Sequence, residues 1–267
     1  MEQSTLEQDV IDAQSRDFYC AALDVLAGAG VSFLVGGAFA YGYYTGIHRH
    51  TKDFDLFIRP ADIQPALVAL QDAGYTTELT MQTWIGKAFQ GESFVDLIFN
   101  GSNGVATVDD EWFAHAAQGT ILERPVQICP MEEMIWSKAF VINRERYDGG
   151  DIAHLLRAHG DELDWDRLLR RFDAYWEVLL SHLILFDFIY PGERNKVPAA
   201  VMQSLLDRMQ AQMGRPEAEA RICRGTLLSR TQYLIDTQQW GYRDGRLRPQ
   251  GALTADEVAQ LNATTDK

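Results

Sequence analysis

Asp53 and Asp55 stand two residues apart in the run Asp53-Phe54-Asp55-Leu56-Phe57-Ile58, whose alternation predicts a strand. Successive strand side chains point to opposite faces, so the two carboxylates share one face while Phe54, Leu56 and Ile58 turn to the core. Two carboxylates held close together and both ionised call for a cation or a proton between them. Magnesium takes oxygen ligands and commonly joins one or two carboxylates to substrate phosphates. Where two such ions sit about 3.5–4 Å apart, they stabilise both the attacking and the leaving oxygen of an in-line displacement. An Asp-x-Asp strand suits that task, although the same pattern by itself also marks the solvated face of an ordinary edge strand.

The residues upstream narrow the reading. The apolar run 31–35 reads as a buried strand ending in Gly36-Gly37, and residues 38–44 then read as a short helix closing near Gly46. Glycines at such a junction let backbone N–H groups approach a phosphate at the helix N-terminus, whereas a glycine pair alone is a tight turn. Fifteen residues, 38–52, separate the pair from Asp53. The order strand, glycine pair, short helix, acidic strand is far rarer than any of its pieces. A haloacid-dehalogenase-type phosphatase also uses Asp-x-Asp, but it wants a small hydroxyl residue soon after the second Asp, where this chain has Leu56-Phe57. The P-loop pattern G-x-x-x-x-G-K-[ST] is absent.

Gly36-Gly37-Ala38 followed by Arg49-His50-Thr51-Lys52-Asp53-Phe54-Asp55-Leu56 resembles the DNA polymerase β-like nucleotidyltransferase superfamily. The match looks most like its bacterial branch of antibiotic-modifying enzymes and abortive-infection-type toxins. It covers residues 31–100 and extends more loosely to residue 156. The resemblance implies an α+β fold with a small mixed sheet flanked by helices. It also implies that Gly36 and Gly37 meet nucleotide phosphates, and that Asp53 and Asp55 bind Mg2+ or Mn2+. Asp96, in Ser93-Phe94-Val95-Asp96-Leu97-Ile98-Phe99, matches the third carboxylate of that family. A buried aspartate bonded to backbone N–H groups is the alternative for it. Arg49, Thr51 and Lys138 are the further candidates for phosphate contact, with an exposed helical lysine as the bland alternative for Lys138. The implied activity moves a nucleoside monophosphate from a nucleoside triphosphate, ATP included, to an acceptor hydroxyl with release of pyrophosphate. A non-catalytic nucleotide-binding module is the competing class.

Those residues need elements to hold them. Residues 4–27 read as an amphipathic helix carrying Leu6, Val10, Phe18, Ala22 and Val25, capped at Ser4 or Thr5. Helix 60–74 follows the acidic strand. Strands are expected at 75–79, 84–89 and 93–99, the last two joined by Gln90-Gly91-Glu92. Residues 109–117 read as helix and 120–128 as one extended segment. After Pro130 the periodicity is almost wholly helical to about residue 239, interrupted at Gly149-Gly150, Gly160, Pro191-Gly192 and Gly214. The expected organisation is a nucleotidyltransferase domain over 1–130, a helical domain over 131–250 and a frayed polar tail over 251–267.

Composition sets the outer limits. Of 267 residues, 46% are hydrophobic and 23% charged, which suits a globular chain with a sizeable core. No apolar run approaches the ~20 residues that span a bilayer, and the start lacks a signal-peptide pattern, so a cytoplasmic place without a membrane partner is expected. Cys20, Cys129 and Cys223 are too few and too scattered for a disulfide framework or a zinc site, and each reads as a buried reduced thiol. Asp and Glu outnumber Lys and Arg by 38 to 24, a formal charge of −14 that repels polyanions at long range. A small molecule or a protein is therefore the favoured acceptor and RNA the alternative. Residues 221–250 keep that alternative open, since six arginines against Asp236 and Asp244 make the stretch about +4, to meet a phosphate or to pair internally.

Overall fold

The computed structural model describes residues 11–214 and 221–263, which fall into two compact units, Met1–Pro130 and Met131–Lys267. In the first unit the strands are Leu34–Val35 (β1), Asp53–Phe57 (β2), Thr76–Met81 (β3), Ile85–Gln90 (β4), Ser93–Ile98 (β5), Ala117–Ile121 (β6) and Arg124–Ile128 (β7). The helices are Ala13–Gly28 (α1), Gly37–Thr45 (α2), Ile63–Asp72 (α3) and Asp110–Ala114 (α4). The strands form one mixed sheet in the order β3-β4-β5-β2-β1-β7-β6. Pairs β2–β5 and β1–β7 are parallel and the remaining pairs antiparallel. The fold is α+β, a mixed sheet flanked by helices and followed by a helical unit.

The two faces of the sheet differ in chemistry because the strands alternate. Phe54, Leu56, Val95, Leu97 and Ala88 are fully buried on one face. Phe54 stacks on Tyr19 of α1 at 5.0 Å between centroids and meets Phe39 of α2 edge-on at 4.7 Å. The opposite face carries Asp53, Asp55, Lys87, Phe94, Asp96 and Ile98, all only half-buried except Asp96.

Two details of this unit depart from the sequence expectation. The first helix starts at Ala13, where the extended backbone of Asp12 caps it and its side chain accepts from the Ser15 N–H at 3.0 Å; the expected start at residues 4–10 lies outside the described residues. The single extended segment 120–128 is a hairpin instead, with Leu122 and Glu123 at φ +50 and +62. Positive φ at both central positions is the turn that Asn-Gly usually signals, and Leu-Glu carries no such signal. Pro125 sits within β7 opposite Thr120, tolerated because β7 meets the two-residue β1 only at Ile128.

The second unit holds helices Met131–Ala139 (α5), Gly149–His159 (α6), Trp165–Phe172 (α7), Trp176–Ile189 (α8), Ala199–Met213 (α9), Leu234–Gln238 (α10) and Ala255–Ala263 (α11). Gly149 opens a helix rather than interrupting one. Two short strands, Ile222–Cys223 (β8) and Arg243–Asp244 (β9), pair in parallel, the first within the stretch expected to be helical up to residue 239 and the second just beyond it. Residues 255–263 are helical, not frayed, because Val258 and Leu261 are buried on one side. Of the six arginines of 221–250, Arg246 is buried, Arg230 is half-buried and the other four are exposed. Arg246 is buried against Asp244 at 2.7 Å, Arg230 donates to the Leu261 carbonyl and Arg248 to the Ala252 carbonyl. Cys129 is buried, while Cys20 and Cys223 are half-buried. Among the described residues no helix is long and apolar enough to cross a membrane.

Candidate functional site

Strand register brings the acidic residues together. Asp53 and Asp55 share a face of β2, and the parallel pairing of β2 with β5 sets Asp55 directly beside Asp96. On the other side of β5, antiparallel pairing sets Lys87 of β4 beside Asp96. Asp55, Asp96 and Lys87 therefore form one row across three neighbouring strands, with Asp53 one pleat away. Among the described residues, Asp53, Asp55 and Asp96 each offer a carboxylate oxygen, and these lie within 4.8 Å of one another. An all-oxygen set of this size fits Mg2+ or Mn2+ and offers none of the nitrogen or sulfur that zinc sites favour.

The glycine pair abuts this row. Gly36 caps α2, and its N–H donates to the Asp55 carbonyl at 2.9 Å, tying the turn to β2. Gly37 has φ +52, and a Cβ built there would fall 1.7 Å from Asp55 Oδ2. A Cβ at Gly36 would meet the Phe57 ring at 2.3 Å. Both positions require glycine, the first for space and the second for space and backbone angle. The N-terminus of α2 thus stands beside the Asp55 carboxylate, with its positive dipole end and its first N–H groups at the acidic row.

Hydrogen bonds hold the rest. The Thr51 hydroxyl donates to the Asp53 carboxylate, and Tyr19 donates to the Lys52 carbonyl at 2.9 Å. Burial first, and the Asp53 charge next, push the Tyr19 phenol to about 12, so it remains a donor. Lys87 Nζ lies 2.7 Å from Asp96 Oδ1 and 4.1 Å from the Phe94 ring centroid. Burial pushes the Asp96 carboxyl above its usual range; the hydrogen bond and charge of Lys87 oppose that shift, and the Asp53 charge adds to it.

The structure thus gathers Asp53, Asp55, Asp96, Gly36, Gly37 and Thr51 at one place. Arg49 lies over the Tyr41 ring at 4.5 Å and donates to its hydroxyl at 3.2 Å. Lys138 belongs to the helical unit, where Asp148 and Asp151 hold it at 3.1 and 2.8 Å. Lys87 and Tyr19 are site residues that the sequence reading missed. For Lys87 a signal existed, because alternation on β4 puts it on the face it shares with Ile85 and Phe89.

The family model described as uncharacterised nucleotidyltransferase matches residues 24–181. No curated protein matches the chain. Solved structures similar in fold include the antibiotic-resistance factor ANT(2'')-Ia in solution, at 15% identity and TM-score 0.41, covering 76% of this chain and 97% of that one. The lincosamide antibiotic adenylyltransferase LnuA, solved with lincomycin bound, aligns at 17% identity and TM-score 0.39 over 54% of this chain and 96% of its own. JHP933 from Helicobacter pylori aligns at 12% identity and TM-score 0.37, over 76% and 96% of the two chains.

Proposed function

The chain belongs to the family of uncharacterised nucleotidyltransferases, and from that membership we propose that it transfers a nucleoside monophosphate from a nucleoside triphosphate to an acceptor hydroxyl, releasing pyrophosphate. The observation that carries the reading is the convergence of three carboxylates beside a glycine-opened helix N-terminus. Asp53 and Asp55, with Asp96, would hold Mg2+ or Mn2+. A bound divalent cation supplies charge neutralisation at the phosphates and at the attacking and leaving oxygens.

The chain's own residues carry the other roles. Gly36 and Gly37 let the triphosphate approach the first N–H groups of α2. Thr51 orients Asp53. Asp96 accepts the proton of the acceptor hydroxyl as its oxygen bonds to the α-phosphorus, and the bond from that phosphorus to the bridging oxygen breaks to free pyrophosphate. Arg49, held against Tyr41, is the cation on the segment before β2 that would meet the phosphates. Lys138 would have to exchange two carboxylates for a phosphate to do the same.

The favoured acceptor is a small hydroxylated molecule or a protein side chain. The formal charge of −14 repels a polyanion, and within the basic stretch 221–250 Arg246 is held by Asp244 while Arg224, Arg230 and Arg248 donate to backbone carbonyls. The test is label transfer from four α-labelled triphosphates into RNA, protein and small-molecule pools, with Asp53→Asn as control. Label in the small-molecule or protein pool that vanishes in Asp53→Asn supports the reading. Strong labelling of RNA would move the acceptor to the other class, and no labelled product in any pool, with no metal-dependent nucleotide binding, would overturn transfer altogether.

A further inference from the structure

Lys87 has no part in the reaction as described so far, yet it stands at the end of the acidic row. Its ammonium is 2.7 Å from Asp96 Oδ1 and lies over the Phe94 ring, 4.1 Å from the centroid, and the side chain is only 21% exposed. Strand pairing fixes its origin as firmly as that of the aspartates, because β4 and β5 pair without a break from Ile85 to Gln90. The four side chains Asp53, Asp55, Asp96 and Lys87 carry a formal sum of −2, the charge that one divalent cation neutralises.

We propose that Lys87 is a positioning residue of the metal site: it claims Asp96 Oδ1, so that Asp96 offers Oδ2 alone, and it offsets part of the carboxylate repulsion before metal arrives. The inference rests on the metal reading above and deepens it. An ammonium bonded to one oxygen of a carboxylate blocks bidentate coordination through that carboxylate and fixes its rotamer. It also repels an incoming cation. Lys87 therefore weakens metal binding while it holds the geometry in which the acceptor proton leaves, a combination that no merely structural lysine produces.

The opposed signs make the test. Lys87→Met keeps an unbranched apolar side chain on β4 and removes the charge, and with it the contact of the ammonium with the Phe94 ring; Lys87→Arg keeps the charge. Metal-free melting temperature, Mn2+ affinity by direct titration without nucleotide, and kcat and KM for transfer are measured on the full chain. Lys87→Met should melt lower without metal, bind Mn2+ about fivefold or more tightly, and lose about tenfold in kcat with KM for the triphosphate within about twofold. Lys87→Arg should restore the melting temperature and the weaker Mn2+ affinity. Should Lys87→Met not fold, Lys87→Gln, which keeps a donor without the charge, carries the same comparison. Unchanged or weaker Mn2+ binding in the uncharged variant, or an unchanged kcat, overturns the role of Lys87. Mn2+ binding that survives Asp53→Asn at full strength overturns the metal reading itself, and the two failures are therefore distinct.

Discussion

Two groups of charged side chains in this protein look alike on paper and are built to opposite ends. In the helical unit, Glu132 and Glu133 of α5 meet Arg167 and Arg171 of α7. Arg167 pairs with both glutamates, and Arg171 Nε lies 3.0 Å from Glu133 Oε1. Those four sum to zero and are all but sealed from solvent, with Glu133 at 0% and Arg167 at 3% exposure. On the sheet, Asp53, Asp55, Asp96 and Lys87 sum to −2, and Asp53 and Asp55 are only half-buried. A charge-balanced cluster sealed from solvent acts on stability. A cluster of converging carboxylate oxygens that is partly open to solvent is suited to a cation brought from outside. Burial and the convergence of carboxylate oxygens, rather than the number of ionised groups, separate the two.

Breaking each group should therefore fail in a different assay. Asp53→Asn or Asp55→Asn should lower transfer by about a thousandfold or more, since each removes a metal ligand. The metal-free melting temperature should hold or rise as carboxylate repulsion is relieved. The same variants should lose the stabilisation given by Mg2+ with a triphosphate, about 2.7 kcal/mol at 100 times the dissociation constant. A melting temperature that drops sharply in both metal-free variants would show that the acidic row is structural.

Arg167→Met should do the reverse. It removes the guanidinium that both Glu132 and Glu133 meet and leaves Glu133 to Arg171 and Glu132 to the Asp164 N–H, a change that typically costs about 3–5 kcal/mol. Urea unfolding of the metal-free protein measures the loss, and Mn2+ affinity should not move. Equal stability in wild type and variant would mean that the cluster contributes less than its burial indicates.

How far the sequence told these groups apart depends on how local each signal is. Asp53 and Asp55 were legible because a period of two puts them on one face whatever their partners. The glycine pair was legible because it punctuates an apolar run. The meeting of Asp96 with Asp55 depends on a parallel pairing across 40 residues of chain, for which only the family resemblance spoke. Lys87 required the register of a third strand as well. The hairpin at Leu122-Glu123 was invisible because two ordinary residues occupy left-handed backbone that glycine or asparagine usually marks. Helix 255–263 was misread because its buried face is just Val258 and Leu261 in a polar stretch.

The glycine turn sharpens the comparison at a smaller scale. Gly37→Ala places a Cβ on the Asp55 carboxylate at a φ that L residues rarely adopt. Backbone strain of this kind costs about 1–3 kcal/mol, while displacement of Asp55 should cut transfer by about a hundredfold. Steady-state kinetics beside thermal melting separates the two. Activity that falls no further than the loss of folded protein would put Gly37 outside the site.

The smallest effect concerns a third group that neither comparison decides. Lys138 bridges Asp148 and Asp151, and Arg146 reaches Asp148 at 2.8 Å. Burial alone would raise the Asp148 carboxyl, but the Arg146 hydrogen bonds and the charges of Lys138 and Arg146 overcome it and hold the group below 3.8. A carboxyl lowered by folding stabilises the protein at pH above its unfolded value, and that contribution fades as pH falls through the folded one. Asp148→Asn should therefore flatten the acid limb of the stability profile below about pH 4 and leave the profile above it parallel to wild type. Lys138→Met should shift the same limb, because it removes one of the cations responsible, and should leave KM for the triphosphate within about twofold. A KM that rises well beyond that, with the acid limb unmoved, would take Lys138 out of this internal cluster and return it to the phosphates.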